Sequence, residues 1–352
     1  MAFLGLKIGS EIRMRARLKD IAERAGCSVT AVSLVLNNKA DSIPDSTKQK
    51  VLQAAEELNY RPNQVAVGLK KSRTNTIGLI ISDVSNNFFA TLTKGVEDES
   101  NQEGWNLILC NTNDHHKREK EYIYTLDDKG IDGIILCLAK EDDFGKVQGT
   151  VDLLNQLNIP HVMVDRFVTD IEGYFVSVNH EEGGYLAGKY LVEMGHINIG
   201  CITGPKNLED SQDRTRGVCR ALEEQGLDIE SVQFYPGNYD IESGEMGAEF
   251  LATKGVTAIF AYNELMAYGV YRWANKSGVR IPEDISVVGY DDVAFADILH
   301  VPLTCVRQPV YEMGRESVRQ IIQMIKTKER KKEKVLFQPK LMVRGSVSHI
   351  KP

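Results

Sequence analysis

Polar side chains stand directly behind short apolar runs at Asp83, Asn111, Asp165-Arg166, Asn179, Asn263 and Asp291. Asp, Asn and Arg offer paired acceptors and donors, the arrangement that neighbouring hydroxyls need, and rings cover the C–H faces between them. "SNNFF", residues 85–89, supplies two such rings just behind the first apolar run. Any one of these residues reads as a cap at a strand end. As a set they describe a small-sugar site.

A second chemistry lies near the N-terminus in "SVTAVSLVLN", residues 28–37. On a helix, Val32, Val35 and Leu36 share one face, while Val29, Thr30, Ser33 and Leu34 share the other, with Asn37 at the end. The second face is short enough to lie deep in a DNA major groove. Its methyl groups can meet the thymine methyl, and its hydroxyls can reach base edges or phosphates. Charge supports this reading. Residues 13–73 hold twelve Lys/Arg against six Asp/Glu, a net of +6, whereas residues 74–352 carry −13 of the chain's overall −7. A basic head on an acidic body points one end alone at a polyanion.

Other chemistries find no support. No phosphate-binding loop, G-x-S-x-G elbow or H-E-x-x-H spacing occurs, so no catalytic residue, metal or cofactor is expected. Cysteines 27, 110, 137, 201, 219 and 305 contain no C-x-x-C and read as buried free thiols of a cytoplasmic protein. His115-His116 falls in "NDHHKREKE" and reads as a solvated face. No apolar run approaches the ~18 residues that span a membrane. "MAFLGLKIGS" lacks the basic region and cleavage site of a signal peptide, and Met14 is an alternative start to Met1.

The elements that must position these groups follow from periodicity. Leu18, Ile21, Ala22 and Ala25 stripe a first helix closed by Gly26, and Ser28 caps the second. "NNKADSIPDSTKQK" leads to a third helix capped by Asp45 or Ser46 and striped by Val51, Leu52, Ala55 and Leu58. Helix, glycine turn, helix and support make a helix-turn-helix domain over residues 17–62, behind an N-terminal extension, residues 1–16. Residues 63–75 form a hinge, whose Gln64–Lys70 is too short and too glycine-weakened to be helical alone. From Thr76, runs such as "TIGLIIS", "WNLILCN", "GIDGIILCLA", "IPHVMVD", "YFVSVN", "NIGCITG", "VQFYPG", "VTAIFAYN" and "ISVVGYD" alternate with helical stretches. One stretch, "GGYLAGKYLVEMGH", places Leu186, Ala187, Tyr190, Leu191 and Met194 on one face. This alternation predicts parallel sheets covered on both faces, in two doubly wound lobes. Their carboxyl ends would face a ligand crevice.

"LKDIAERAGCSVTAVSLVLNN", "ELNYRPNQVAVGL", "IGLIISDVSNNFF", "GIDGII", "VDR", "GYLAGKYLVEMGH", "RTRGV", "IPEDISVVGYDD" and "LMVRGS" together resemble the lactose-repressor/galactose-repressor (LacI/GalR) family over residues 17–348. The resemblance implies an all-α headpiece on an α/β body like that of periplasmic pentose- and ribose-binding proteins. It places the N-lobe at 76–165 and 309–337 and the C-lobe at 166–308 and 338–352. The implied partners are a near-palindromic double-stranded DNA operator, a second copy in a homodimer (with a tetramer open), and a small-molecule effector such as a pentose. By position, Val29, Thr30 and Leu34 take base-reading places and Leu69 that of an intercalating leucine. Ser28, Ser33, Asn37, Tyr60, Asn63, Val65, Ala66 and Lys70 complete the DNA set. Asn86, Phe88, Phe89, Asp165, Arg166, Arg214, Tyr239, Asn263, Asp291 and Gln308 take the sugar-cleft positions. Leu34 stands where members often carry Arg or His, and Val67-Gly68 replaces the more usual Arg-Ser or Arg-Thr.

The expected function is a ligand-responsive, sequence-specific DNA-binding transcription regulator, a repressor of a carbohydrate-utilisation operon; the competing class is a sugar-binding protein or sugar-handling enzyme with an N-terminal helical appendage. A wedge at Leu69 gives a direct test. Leu69→Ala should weaken binding to the operator far more than binding to random DNA in gel shifts, because only the operator is kinked by unstacking a base step. Equal losses on both would show that the leucine does not intercalate.

Overall fold

The computed structural model describes residues 16–60, 73–140, 144–166, 168, 170–330 and 332–350. The chain divides into two compact units at Thr74/Asn75.

The head consists of α1 (Leu18–Ala25), α2 (Val29–Leu36) and α3 (Asp45–Glu57). Gly26 closes α1 in the left-handed conformation at φ 66, which glycine adopts without strain. The Ser28 hydroxyl then caps α2 by accepting from the Ala31 amide at 3.1 Å. Ile21, Ala22, Val32, Val35, Val51 and Ala54 form the small core. Arg24 on α1 pairs with Glu57 on α3, Nε to Oε2 at 2.9 Å. Two details depart from the sequence reading. Pro44, rather than Asp45 or Ser46, occupies the cap position of α3, since its fixed φ already suits a helix start. Leu52 is exposed, and Ala54 takes its place in the core because the buried stripe of α3 is narrower than its apolar residues allow.

The body holds two six-stranded sheets. The N-lobe sheet runs β11 (Glu333–Phe337), β5 (Tyr174–Val178), β4 (His161–Val164), β3 (Gly133–Leu136), β1 (Thr76–Ile81), β2 (Asn106–Asn111). The C-lobe sheet runs β12 (Lys340–Met342), β10 (Thr304–Arg307), β9 (Ser286–Asp291), β8 (Ala258–Ala261), β6 (Ile199–Thr203), β7 (Gln233–Pro236). All pairings are parallel except β10 with β12. Strands β3, β4, β5, β6, β8 and β9 are buried along their whole length, as expected of sheets with helices on both faces.

The N-lobe helices are α4 (Asn87–Gln102), α5 (His116–Asp128), α6 (Phe144–Gln156) and α11 (Val310–Thr327). The C-lobe helices are α7 (His180–Glu193), α8 (Glu209–Glu224), α9 (Ile241–Ala252) and α10 (Glu264–Ser277). On α7, Ala187 and Leu191 are core residues, and Tyr190 and Met194 pack partly against them.

The first crossing between lobes lies after Val178, not after Asp165 as the sequence reading placed it. β5 pairs with β4 through Met163–Phe175 and Val164–Val176, so "YFVSV" stays in the N-lobe sheet. Asp165, at φ 71, extends this parallel pairing, its amide donating to the Val176 carbonyl at 2.9 Å. The chain crosses again between β10 and α11, and a third time between β11 and β12.

Helices α4 and α11 cross at Gly95 and Gly314. A methyl on Gly95 would overlap the Tyr311 carbonyl, and one on Gly314 would overlap the Leu92 carbonyl, both rigid backbone. Gly95→Ala or Gly314→Ala should therefore destabilise the body by about 1–3 kcal/mol, as overpacking does. Urea unfolding with an unchanged midpoint in both variants would show that the helices can separate freely.

Candidate functional site

The carboxyl ends of both sheets converge on one cavity of about 260 Å³. That is just below the usual range of ligand cavities, roughly 300–1,000 Å³. Each lining group arrives from a segment that follows a strand. On the N-lobe side, Asp83, Asn86, Phe88 and Phe89 follow β1, Asp114 follows β2, Lys140 follows β3, and Asp165 and Arg166 follow β4. From the C-lobe come Asp210 and Arg214 after β6, Asn238, Tyr239 and Asp240 after β7, Asn263 and Leu265 after β8, Asp291 at the end of β9, and Gln308 after β10.

Both arginines are buried and paired within their own lobe, although Arg214 Nε has no hydrogen-bond acceptor. Arg166 Nη1 donates to Ser82 Oγ at 2.9 Å, to Asp114 Oδ1 at 2.5 Å and to the Leu138 carbonyl at 2.9 Å. Its guanidinium also lies 5.9 Å from the Phe89 ring centre. Arg214 donates to the Tyr262 carbonyl, pairs with Asp210 at 3.3 Å and lies 4.0 Å from the Tyr290 ring centre. Its Nη2 also meets His180 Nδ1 at 3.3 Å. An arginine only donates, so that ring nitrogen must accept. Burial, then the neighbouring Arg214 charge, hold His180 neutral by lowering its pKa to about 3.

The carboxyl groups divide into two kinds. Burial pushes Asp114 up, but Arg166 and Lys140 outweigh it and leave its pKa at about 2. Asp210 is likewise raised by burial yet held low by Arg214 and by the Tyr239 hydroxyl, which donates to it at 2.6 Å. Among the described residues, Asp165 and Asp291 make no ion pair. Burial pushes Asp165 up to about 7 and Asp291 to about 6, against the pull of Arg166 and Arg214 respectively. Asp291 Oδ1 accepts from Gln308 Nε2 at 2.7 Å.

All ten residues assigned to the sugar cleft line this cavity. Asn86 and Asn263 are also helix caps: Asn86 accepts from the Phe88 amide at 3.0 Å, and Asn263 accepts from the Met266 amide at 2.9 Å. Asn263 further donates to the Tyr239 carbonyl at 3.1 Å, which leaves it a single N–H for a ligand. Asn111 and Asn179 do not line the cavity. Asn111 accepts from the Val84 amide at 3.1 Å and Asn179 caps α7.

In the head, Ser28, Val29, Thr30 and Asn37 are exposed, while Ser33 and Tyr60 are half-buried. Leu34 departs from expectation. It is half-buried and packs on the head's core, because α2 is apolar nearly all round and its stripe extends past Val35. Asn37 Nδ2 donates to the Ser33 carbonyl at 2.6 Å, tying down the end of the helix. Asn63, Val65, Ala66, Leu69 and Lys70 lie outside the described residues.

The family model described as periplasmic binding proteins and sugar-binding domain of the LacI family matches residues 74–344. The model for bacterial regulatory proteins of the lacI family matches residues 17–63. The chain belongs to the LacI family. It is a DNA-binding transcription regulator with a helix-turn-helix head and a periplasmic-binding-protein-like body. It is 36% identical over 338 residues to the HTH-type transcriptional repressor PurR of Vibrio vulnificus (strain CMCP6), covering 95% of this chain and 99% of that one. A crystal structure of the Lac repressor dimer bound to operator and the anti-inducer ONPF superposes with a TM-score of 0.84 at 26% identity, over 95% of this chain and 100% of that one. A LacI family regulator from Enterococcus faecium with bound ribose matches at a TM-score of 0.71 and 27% identity, over 78% of this chain and 100% of that one.

The structure adds lining residues to this LacI-type cleft that the sequence reading missed. Asp114 follows β2 at a short remove, inside a charged run that resembles a surface loop, and Asp210 sits one turn before Arg214 on α8. The i, i+4 spacing of Asp210 and Arg214 was the available signal for that pair. His116, expected on a solvated face, is largely buried 3.4 Å from Glu119, which is itself buried and accepts from the Ala139 amide and the Thr150 hydroxyl at 2.7 Å each. Cys110, Cys137, Cys201 and Cys305 are buried thiols, and Cys27 and Cys219 are half-buried.

The raised acids make the unliganded body sensitive to pH. A carboxyl raised above its unfolded value contributes stability below that value and loses it as pH rises through the folded pKa. Asp165 should therefore cost stability between about pH 4 and 7. Thermal unfolding should show wild type losing Tm relative to Asp165→Asn from pH 5 to pH 8. A constant difference across that range would mean Asp165 is ordinarily ionised.

Proposed function

We propose that this chain is a repressor of a carbohydrate-utilisation operon, acting as a homodimer on a near-palindromic operator and answering to a small neutral sugar, of which a pentose such as ribose fits best. The cavity's charge pattern carries this reading. Arg166 and Arg214 already hold Asp114 and Asp210, Lys140 pairs with Asp114 as well, and the lining's six aspartates outnumber these three cations, which disfavours an anionic ligand. Asp165 and Asp291 remain as acceptors for hydroxyl donors, with Phe88 and Phe89 as an apolar wall. Neutral, hydroxyl-rich and small is what such a lining selects. The ribose-bound Enterococcus faecium regulator of the same fold supports the choice.

The head supports the DNA half of the proposal. Val29 and Thr30 are exposed on α2, in a segment of net charge +6. Operator affinity should fall steeply with salt, as when several phosphates are neutralised.

A thermal-shift screen of sugars, nucleosides and sugar phosphates tests the effector. A neutral pentose should raise Tm, and its phosphate should not. Asp291→Ala should cost the binding of that pentose about 1–3 kcal/mol by calorimetry, since ligand donors lose their acceptor. A preference for the phosphate would overturn the neutral-sugar assignment while leaving the DNA-binding role intact.

A further inference from the structure

At the end of β9 the chain reads Asp291-Asp292-Val293, and these side chains go to three different places. Asp291 lines the cavity. The Asp292 side chain is 2% exposed and is clamped by Arg307 Nε at 2.7 Å and by Arg344 Nη1 and Nη2 at 2.7 and 3.0 Å. Val293 leaves its own lobe and packs against the N-lobe core that contains Phe88 and Phe89. Arg307 ends β10, just before the second crossing, and Arg344 lies just beyond β12, after the third. One buried carboxylate thus joins the cavity wall to two of the segments that connect the lobes. Asp291 and Asp292 both hold positive φ, at 95 and 54, conformations that persist only where the surroundings impose them.

We propose that Asp292 is a positioning residue: gripped by Arg307 and Arg344, it fixes the turn that aims Asp291 into the cavity and Val293 into the opposite lobe. Cavity contents then bias how the lobes are held. A ligand that draws on Asp291 acts on a segment whose next two residues are anchored to the crossings and to the N-lobe, so its affinity differs between lobe arrangements. The clamp has no slack, because a buried carboxylate stripped of one guanidinium is left under-compensated. The ligand half of this inference rests on the effector reading above; the positioning half does not.

The test uses the full chain in two arms. The first needs no ligand. Arg214 on α8, Glu264 on α10 and Gln308 at the crossing face the Asp291 carboxyl, and burial pushes its pKa up to about 6. Wild type should therefore lose stability relative to Asp291→Asn as pH rises from about 4 to 7. Placed in an Arg344→Gln background, the same comparison should show that pH-dependent difference reduced by roughly half or more, the coupling expected of connected residues. Arg344→Lys should restore most of it. Arg307→Gln, at a half-exposed position, serves in place of Arg344→Gln should the latter not fold. An undiminished difference in these backgrounds would overturn the positioning role.

The second arm is calorimetry with D-ribose as the probe. Val293→Thr keeps the side chain's shape but sets a hydroxyl against the N-lobe core, and it should weaken D-ribose by about tenfold although Val293 does not line the cavity. Unchanged D-ribose affinity in that variant would overturn the coupling to the lobes. Absence of D-ribose binding in wild type would count against the sugar reading, and the ligand-free arm would still decide the role of Asp292.

Discussion

Two guanidinium groups taken out of water set the terms for the body. An unpaired buried charge costs several kcal/mol, so Arg166 and Arg214 can stay in the cleft only if the fold surrounds each with acceptors. Arg166 draws on the Ser82 hydroxyl behind β1, Asp114 behind β2, and the Leu138 carbonyl behind β3. Arg214 draws on the Tyr262 carbonyl behind β8, Asp210 one turn away, and the face of Tyr290 on β9. Each arginine gathers the carboxyl ends of several strands. Glu119 secures part of this from below by holding the Ala139 amide, next to both Leu138 and Lys140.

The same arrangement explains why the remaining carboxyls are poised rather than quenched. Once Asp114 and Asp210 have taken the cations, Asp165 and Asp291 share a desolvated site with little opposing charge in direct contact. Their raised pKa values follow from that division of partners. Ligand hydroxyls that donate to them would replace lost hydration and stabilise the ionised forms. The two lobes repeat the pattern, an Arg–Asp pair and a second Asp on each side, as their matching strand orders allow.

Much of this was legible in the sequence because it depends on short-range periodicity. Nine apolar runs became β1 to β9, and of the polar residues behind them Asp83, Asp165, Arg166, Asn263 and Asp291 joined the cavity wall while Asn111 and Asn179 did not. The misreadings have physical causes. "YFVSV" is a buried strand of either lobe by composition, and only its pairing with β4 and β11 assigns it to the N-lobe. β11 and β12 are half-exposed edge strands and β10 ends on polar Arg307, so they lack a continuous apolar signal. Asp114 and Asp210 sit within charged stretches, where a buried partner cannot be told from a solvated one without knowing which arginine lies opposite. Leu34 was assigned to the outer face by helical spacing, yet the core of so small a head claims a half-buried leucine wherever it is in reach.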